Sequence, residues 1–237
     1  MEVALLSWFD HHGRDLPWRR TRDPYAILVS EVMLQQTQVE RVVPRYRDWL
    51  ERWPTANDLA GAAPADVVRA WQGLGYNRRA LCLHRAAQIV AREGWPADLT
   101  ELPGVGTYTA AAVRSFAWDE PVLPVDTNVR RVQERTGLTF SAAAGQALMD
   151  LGATVCLARI PRCDACPLAS GCPSRGRRYE PLRRQSRFEG SFRQRRGLAL
   201  RLVVERPRRL LELDAEAVRS LAADGLVAVR GEEVALP

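Results

Sequence analysis

The spacing of the cysteines constrains the fold of this chain more than any other feature of its sequence. Four of the five cysteines lie within seventeen residues, separated by six, two and five residues: Cys156, Cys163, Cys166 and Cys172. An odd cysteine count in a protein expected inside the cell disfavours a disulfide framework. Structural zinc usually takes two close pairs, whereas here a single Cys-x-x-Cys has one cysteine on either side. Four thiolates in one compact loop suit a [4Fe-4S] cluster, with zinc as the alternative.

The remaining composition is that of a globular chain. Its 237 residues, 46% of them hydrophobic, allow two small domains or one large one. No apolar run approaches the roughly 18 to 20 residues that a membrane helix needs. Because Glu2 and Asp10 lie where a signal peptide would carry basic residues, we expect no signal peptide and a cytoplasmic location.

Positive charge is concentrated in one segment. The net charge of +6 suggests a polyanionic partner without proving one. Residues 174–209 contain 13 Arg and 3 acidic residues, a local charge of +10, which is as typical of a solvated linker as of a phosphate-binding segment. The chain has no lysine, since all 34 basic residues are arginine, so it lacks the side-chain amine that Schiff-base chemistry normally uses.

The pattern of residues 2 to about 158 predicts an all-α body, with no convincing alternating strand pattern. Asp23-Pro24 predicts a helix start, with a capping carboxylate followed by proline at the first helical position. In that helix Ile27, Glu31 and Leu34 share one face. Further helices are expected near 39–52, 64–72, 77–93, 107–117, 127–136 and 141–155, with proline and glycine between them.

The tail after Cys172 has a different pattern. It predicts helices near 193–206 and 214–223, followed by two short apolar segments with Arg230-Gly231-Glu232 between them. This order predicts a small winged-helix-like module ending in a hairpin.

A glycine-rich turn and two acidic residues are the candidate functional features of the helical body. Gly104 and Gly106, in LPGVGTYTAAAV, permit a tight turn whose backbone N–H groups and following helix could bind a phosphate. An ordinary interhelical turn is the alternative. Asp126 precedes a helix that it could simply cap, and Glu31 could face solvent or pair with an arginine. Together, an acid in apolar surroundings and a second carboxylate suggest glycosidic chemistry, in which one group protonates the leaving group and the other stabilises the sugar cation.

Five segments, in order, resemble the adenine glycosylase (MutY-type) family of the helix-hairpin-helix, or endonuclease III, superfamily. They are SEVMLQQTQV, GLGYNRRA, LPGVGTYTAAAV, PVDTNVRRV and the cysteine loop, and the resemblance spans about residues 5–175. It implies a two-lobed glycosylase fold with an iron-sulfur cluster loop. The expected parts are a six-helix lobe (22–126), a cluster lobe (1–21 and 127–175), an Arg-rich linker (176–192) and the C-terminal module (193–237).

The resemblance also implies roles for particular residues. Glu31 and Asp126 match the catalytic pair of the family, and Asn128 matches the neighbouring asparagine. Gln36 and Tyr76 match the residues that wedge into the duplex.

The hairpin position of Tyr108 holds the catalytic lysine in the bifunctional lyases of the superfamily. A chain without lysine is therefore expected to hydrolyse the glycosidic bond without lyase activity, and Tyr108 is expected to hydrogen-bond a catalytic carboxylate or to pack.

The remaining implied features concern the cofactor and the DNA. The four clustered cysteines would hold a [4Fe-4S] cluster that orders a DNA-binding loop containing Arg159, Arg162 and Arg175. Gly104, Gly106, Arg78 and Arg130 are further expected DNA contacts. The expected partner is double-stranded DNA with a mismatched or oxidised base pair, bound by a monomer. The tail is too short for the C-terminal domain with which family members commonly read 8-oxoguanine.

Two other functions fit the same residues, and a zinc-stabilised DNA-binding regulator is a third possibility. A thymine or uracil glycosylase acting on G·T or G·U mismatches could use the same acids and Tyr108, although the Gln35-Gln36-Thr37 run favours adenine. A catalytically silent lesion-binding protein would keep the hairpin and the cluster, although the presence of both acids argues against it.

Overall fold

The computed structural model describes residues 1–180 and 187–237, and most of these residues are helical. The chain divides into two compact units. The first unit is Met1–Ile27 with Gly106–Arg184, and the second unit is Leu28–Val105 with Gln185–Pro237. The predicted lobe borders at residues 22 and 126 remain a prediction. Part of the predicted linker, residues 181–186, lies outside the described residues.

The predicted all-α body is confirmed. The described α-helices are α1 (Glu2–His12), α2 (Pro24–Leu34), α3 (Val39–Arg52), α4 (Ala56–Ala60), α5 (Pro64–Ala70), α6 (Arg78–Glu93), α7 (Thr107–Trp118), α8 (Thr127–Thr136), α9 (Gly145–Thr154), α10 (Phe192–Glu205) and α11 (Ala215–Ala223). The predicted start of α2 is confirmed by the Asp23 carboxylate, which accepts the Tyr25 N–H at 3.0 Å. Among the described residues, no helix has both the length and the apolar character that a membrane crossing requires.

The first unit is built on an apolar core with one buried acidic residue beside it. Leu5 of α1 packs against α8 and α9 through Val129, Leu148 and Leu151. Asp150 has no exposed side-chain surface, and its two oxygens accept five hydrogen bonds of 2.7–2.9 Å from Arg14 and Arg19. Burial by itself would raise the pKa of Asp150, but these hydrogen bonds outweigh it and lower the pKa below its ordinary value. The two arginines thereby hold the segment after α1 against α9.

The second unit has an aromatic core. The buried ring of Trp49 meets the rings of Trp53 and Trp71 edge-on, with centroids 4.7 and 5.4 Å apart. The short helix α4 begins with a capping box, in which Thr55 and Asp58 satisfy each other's backbone N–H groups. Helix α4 was not predicted from the sequence, because five residues are too few to show helical periodicity.

The C-terminal module has the predicted winged-helix topology. The helix α10 is followed by strand β1 (Arg208–Arg209), a short 3₁₀ turn, α11, and the strands β2 (Ala228–Arg230) and β3 (Glu233–Ala235). The strands form an antiparallel sheet in the order β1-β3-β2, and Gly231, with φ +60°, makes the turn of the predicted hairpin. The apolar core of the module also includes Val68 and Leu81, which belong to the earlier part of the second unit, Leu28–Val105.

Candidate active site and cluster loop

Asp126 caps helix α8, and the cap fixes its carboxylate. Its Oδ1 accepts the backbone N–H groups of Asn128 and Val129 at 2.9 and 2.7 Å, and its Oδ2 accepts the Asn128 side-chain amide at 2.9 Å. The sequence left two roles open, a helix cap or a catalytic carboxylate. The structure shows that Asp126 is a cap, and the same contacts hold a half-exposed carboxylate in one orientation at a helix N-terminus, where negative charge is stabilised.

Asn128 is itself held by Arg131. The Arg131 guanidinium donates to Asn128 Oδ1 at 2.7 Å, to the Gly152 carbonyl at 2.6 Å and to the Cys156 carbonyl at 2.7 Å. Burial lowers the pKa of Arg131. A Cβ added to Gly152 would lie 2.5 Å from the Cβ of Asn128, so only glycine allows this close approach. A chain of hydrogen bonds thus runs from the cysteine loop to Asp126.

The other two catalytic candidates lie on different helices. Glu31 is in the second half of α2, in the second unit, and only 5% of it is exposed. This burial supports the expectation of a desolvated acid. Tyr108 is half-buried in the first turn of α7, in the first unit with Asp126 and Asn128.

The glycine-rich turn has the predicted tight geometry. Gly104 has φ +80°, and a Cβ at that position would lie 2.8 Å from the Cβ of Cys82. Gly106 is the N-cap of α7 and has no side chain to occupy the first backbone N–H groups of the helix. The turn therefore exposes a helix N-terminus of the kind that binds phosphate. Cys82 is half-buried beneath the turn.

The two expected wedge residues have left-handed backbone conformations. Gln36 has φ +56° and Tyr76 has φ +46°, values that cost energy for residues other than glycine. Both are exposed, 43% of Tyr76 being accessible. Strained residues persist only where the surrounding structure fixes them.

Arg79 holds two short segments in place, residues 35–37 with Gln36 and residues 74–76 with Tyr76, which are called the wedge loops below. Its guanidinium donates to the carbonyls of Val32, Met33 and Gln35 at the end of α2, at 2.6–3.0 Å. It also donates to Thr37 Oγ1 at 3.0 Å and to the carbonyls of Leu74 and Gly75, which directly precede Tyr76, at 3.3 and 2.9 Å. Burial lowers the pKa of Arg79 to about 10, so it remains charged at neutral pH.

The four clustered cysteines line one pocket of the first unit, together with apolar residues such as Val132 and Leu151. Burial raises the pKa of the Cys166 thiol, and the three neighbouring thiols raise it further. Arg135 donates to Cys156 Sγ at 3.3 Å, and the Gly176 N–H donates to Cys163 Sγ at 3.2 Å. In the described ranges, no group of three or more His, Cys, Asp or Glu side chains is arranged to hold a metal ion.

The expected DNA-contacting arginines are exposed, but several arginines of the tail are paired. Arg78, Arg130, Arg159, Arg162 and Arg175 are all exposed. Two of them also have acidic neighbours, since Arg175 is paired with Asp164 at 3.0 Å and Arg78 lies 3.8 Å from Asp224. In the C-terminal module, further arginines form ion pairs with acidic residues. These pairs are Arg195–Asp214, Arg195–Glu216, Arg196–Asp224, Arg208–Glu205 and Arg209–Glu232.

Three arginines with buried or half-buried side chains, Arg79, Arg131 and Arg135, were not predicted from the sequence. Arg131 and Arg135 follow Arg130 closely, and Arg79 follows Arg78. In a chain whose basic residues are all arginine, residue type alone does not separate an arginine that ties loops together from one that faces solvent. Helical spacing was the one available signal, since Arg131 and Arg135 lie four residues apart and therefore on one face of α8 with buried Val132.

Comparisons with known proteins agree with this geometry. Residues 29–150 match the family model described as HhH-GPD superfamily base excision DNA repair protein. The chain is 45% identical to an adenine DNA glycosylase of Mycolicibacterium smegmatis, covering 95% of this chain and 92% of that protein. It is 43% identical to an adenine DNA glycosylase of Mycobacterium tuberculosis, covering 95% and 90%. Because only 5% of this chain lies outside these alignments, they include most of the C-terminal module.

A solved structure shares the fold. The structure of a thermostable thymine-DNA glycosylase superposes with a TM-score of 0.66 at 27% identity, covering 73% of this chain and 93% of that one. The family match and the two relatives, both well above 30% identity over most of their length, settle the classification. The chain belongs to the HhH-GPD superfamily of base excision DNA repair proteins and, within it, to the adenine DNA glycosylases.

Proposed function

We propose that this protein is a monofunctional glycosylase that hydrolyses the N-glycosidic bond of adenine mispaired with 8-oxoguanine or guanine in duplex DNA. The observation that carries the proposal is the fixed Asp126 carboxylate at the N-terminus of α8, together with the buried acid Glu31, in a chain 45% identical to an adenine DNA glycosylase. A monomer acting on chromosomal DNA in the cytoplasm is part of the same proposal.

The proposed reaction begins with extrusion of the adenine from the duplex. Flipping costs a few kcal/mol, which phosphate contacts and the wedge residues Gln36 and Tyr76 offset. Backbone N–H groups at Gly104 and Gly106, with Arg78 and Arg130, contact the DNA backbone.

Bond cleavage uses one acid as proton donor and the other as anion. Glu31, whose burial favours the neutral form, protonates the five-membered ring of the purine and weakens the glycosidic bond. The Asp126 carboxylate stabilises the oxocarbenium-like sugar until water adds to it, leaving an abasic site and free adenine. Asn128 holds Asp126 in place, and Tyr108 orients a catalytic carboxylate. Because the chain has no lysine, strand cleavage through a lysine imine does not follow.

A [4Fe-4S] cluster held by Cys156, Cys163, Cys166 and Cys172 fits the first unit. The four thiols share one pocket, and N–H donors point at two of the sulfurs, as is typical of thiolate ligands. When bound, the cluster supplies order to its loop and takes no part in the reaction. Its binding would draw the thiols together and fix the loop that contains Arg159, Arg162 and Arg175.

The test is base release from duplexes holding A·8-oxoG, A·G, T·G and U·G, followed by alkali to reveal abasic sites. We expect cleavage of the adenine strand only after alkali. Asp126→Asn and Glu31→Gln should each slow release about 100- to 1000-fold or more, as expected for loss of a catalytic charge or acid. Asp10→Asn, an exposed residue of α1, is the matched control. Release of thymine or uracil instead of adenine would show that the proposed substrate is wrong. DNA binding without release of any base would favour a catalytically silent lesion-binding protein.

A further inference from the structure

The second unit contains a groove of about 1130 Å³ that the proposed chemistry does not use. It is larger than the ~300–1000 Å³ typical of small-molecule pockets, which suits a segment of polymer. One part of its lining comes from the wedge loops, through Gln36 and Tyr76. Another part comes from α10 and the residues before it, through Phe188, Phe192 and Arg193.

The C-terminal module is fixed beside the wedge loops. Val68 and Leu81 of the second unit belong to the same apolar core as α10 and α11. Asp224, at the end of α11, accepts Arg196 at 2.7 Å and lies 3.8 Å from Arg78. The segment 188–197 therefore lines the groove as part of a packed structure.

The lining of the groove combines aromatic rings with cations. Tyr76 and Phe188 are 43% and 59% exposed, so part of each side chain faces solvent. Among the described residues, one acidic residue lines the groove, Asp224, which is paired with Arg196 and lies 3.8 Å from Arg78. Five arginines line it as well: Arg41, Arg78, Arg79, Arg193 and Arg196. Exposed aromatic faces beside an excess of arginine are the features that bind unstacked nucleic-acid bases together with their phosphates.

The groove does not suit the extruded adenine. Glu31 is absent from the described residues that line it, whereas a pocket for adenine must contain the group that protonates it. The wedge residues do line it, and a residue that fills the gap left by the adenine lies next to the base that loses its partner.

We infer that this groove receives the base opposite the extruded adenine. Phe188 stacks on that base, and Arg193 contacts the phosphate that follows it. The C-terminal module thereby takes part in choosing the base pair. This inference rests on the proposed function, because it needs an adenine to be extruded from a duplex.

The experiment measures Kd at fixed salt for product-like duplexes, in which a tetrahydrofuran abasic residue faces guanine, 8-oxoguanine or a second tetrahydrofuran. Phe188→Ala should bind the first two duplexes about tenfold more weakly and the third like the unaltered protein, because only the first two present a base to stack. Arg193→Ala should weaken binding to all three equally and reduce the slope of log Kd against log salt by about 1.

Matched controls are available on α10, which contains Arg193 and begins four residues after Phe188. Leu198 and Arg201 are exposed on α10 and are not among the lining residues, so Leu198→Ala and Arg201→Ala should leave all three affinities unchanged. Phe188→Leu keeps apolar bulk without a ring and should reproduce the defect of Phe188→Ala. Thermal melting of each variant confirms that it is folded.

The inference is overturned if Phe188→Ala binds all three duplexes like the unaltered protein, or loses the same affinity for all three. These outcomes are distinct from failure of the proposed function. If Phe188→Ala shows the base-dependent loss of affinity but the unaltered protein releases no adenine, the proposed function is wrong and the inferred role of the groove stands. If the protein releases adenine but Phe188→Ala binds all three duplexes normally, the proposed function stands and the inferred role of the groove is wrong.

Discussion

The two units hold their functional residues by different means. In the first unit, Asp126 and Asn128 are held through their own polar atoms, each of which has a hydrogen-bond partner. In the second unit, Gln36 and Tyr76 are held through their backbone, since Arg79 binds the carbonyls around them while their side chains stay exposed. The first arrangement fixes where a charge lies. The second fixes the shape of the surface on which the two proposed DNA contacts lie.

Loss of Arg79 should have the largest effect, because seven acceptors depend on one guanidinium. We expect Arg79→Met to lower the free energy of unfolding by about 3–4 kcal/mol, since several buried carbonyls lose their partner. Arg79→Lys keeps the charge but has only three donors. Its free energy of unfolding should therefore lie between those of the unaltered protein and Arg79→Met. Chemical denaturation measures this effect. If Arg79→Met were as stable as the unaltered protein, the wedge loops would not depend on Arg79.

The buried Asp150 should make the first unit sensitive to acid. Its pKa is lowered in the folded state, so its contribution to stability is fully present above the unfolded pKa near 4 and is lost as pH falls towards the folded value. Asp150→Asn should cost about 3 kcal/mol at pH 7 and progressively less below pH 4. Denaturation at several pH values measures the difference, and a cost that does not change with pH would contradict it.

Gly152→Ala tests the contact between α9 and the Asn128–Asp126 pair. The added Cβ would overlap Asn128, so we expect a loss of about 1–3 kcal/mol together with slower adenine release and unchanged DNA affinity. Gly61→Ala is the control, because its Cβ would meet only ordinary contacts beyond 3.6 Å at φ −81°. Weaker DNA binding with normal release would show that the contact serves the DNA surface instead.

Gln36→Gly should have the smallest effect on stability. Glycine removes about 1 kcal/mol of left-handed strain but adds a similar entropy cost in the unfolded chain, so the net change should stay within about 0.5 kcal/mol. DNA affinity should nevertheless fall, because the wedge side chain is lost. Thermal melting and a DNA titration separate the two effects. A large gain in stability would mean that Arg79 holds the loop against more strain than its backbone angle indicates.

The sequence predicted local features better than the contacts that join them. The starts of α2 and α8 were readable because Asp23 and Asp126 act on the next two or three residues, and the hairpin at Gly231 was readable from its turn residues. The contacts of Arg79 and Arg131 could not be predicted, because most of their acceptors are backbone carbonyls, up to 47 residues away, and carbonyls carry no residue identity. The packing of the C-terminal module on Leu81 likewise depends on tertiary contacts.

The contacts of Asp126 also limit the direction from which its carboxylate can act. Each carboxylate oxygen has two lone pairs. Oδ1 accepts two backbone N–H groups, so both of its lone pairs are occupied, and Oδ2 accepts one amide N–H from Asn128. Among the described contacts, a single lone pair on Oδ2 is left for the sugar. In the proposed reaction, the substrate would therefore meet this carboxylate along one line of approach, and the cap of a helix would determine which face of the sugar it shields.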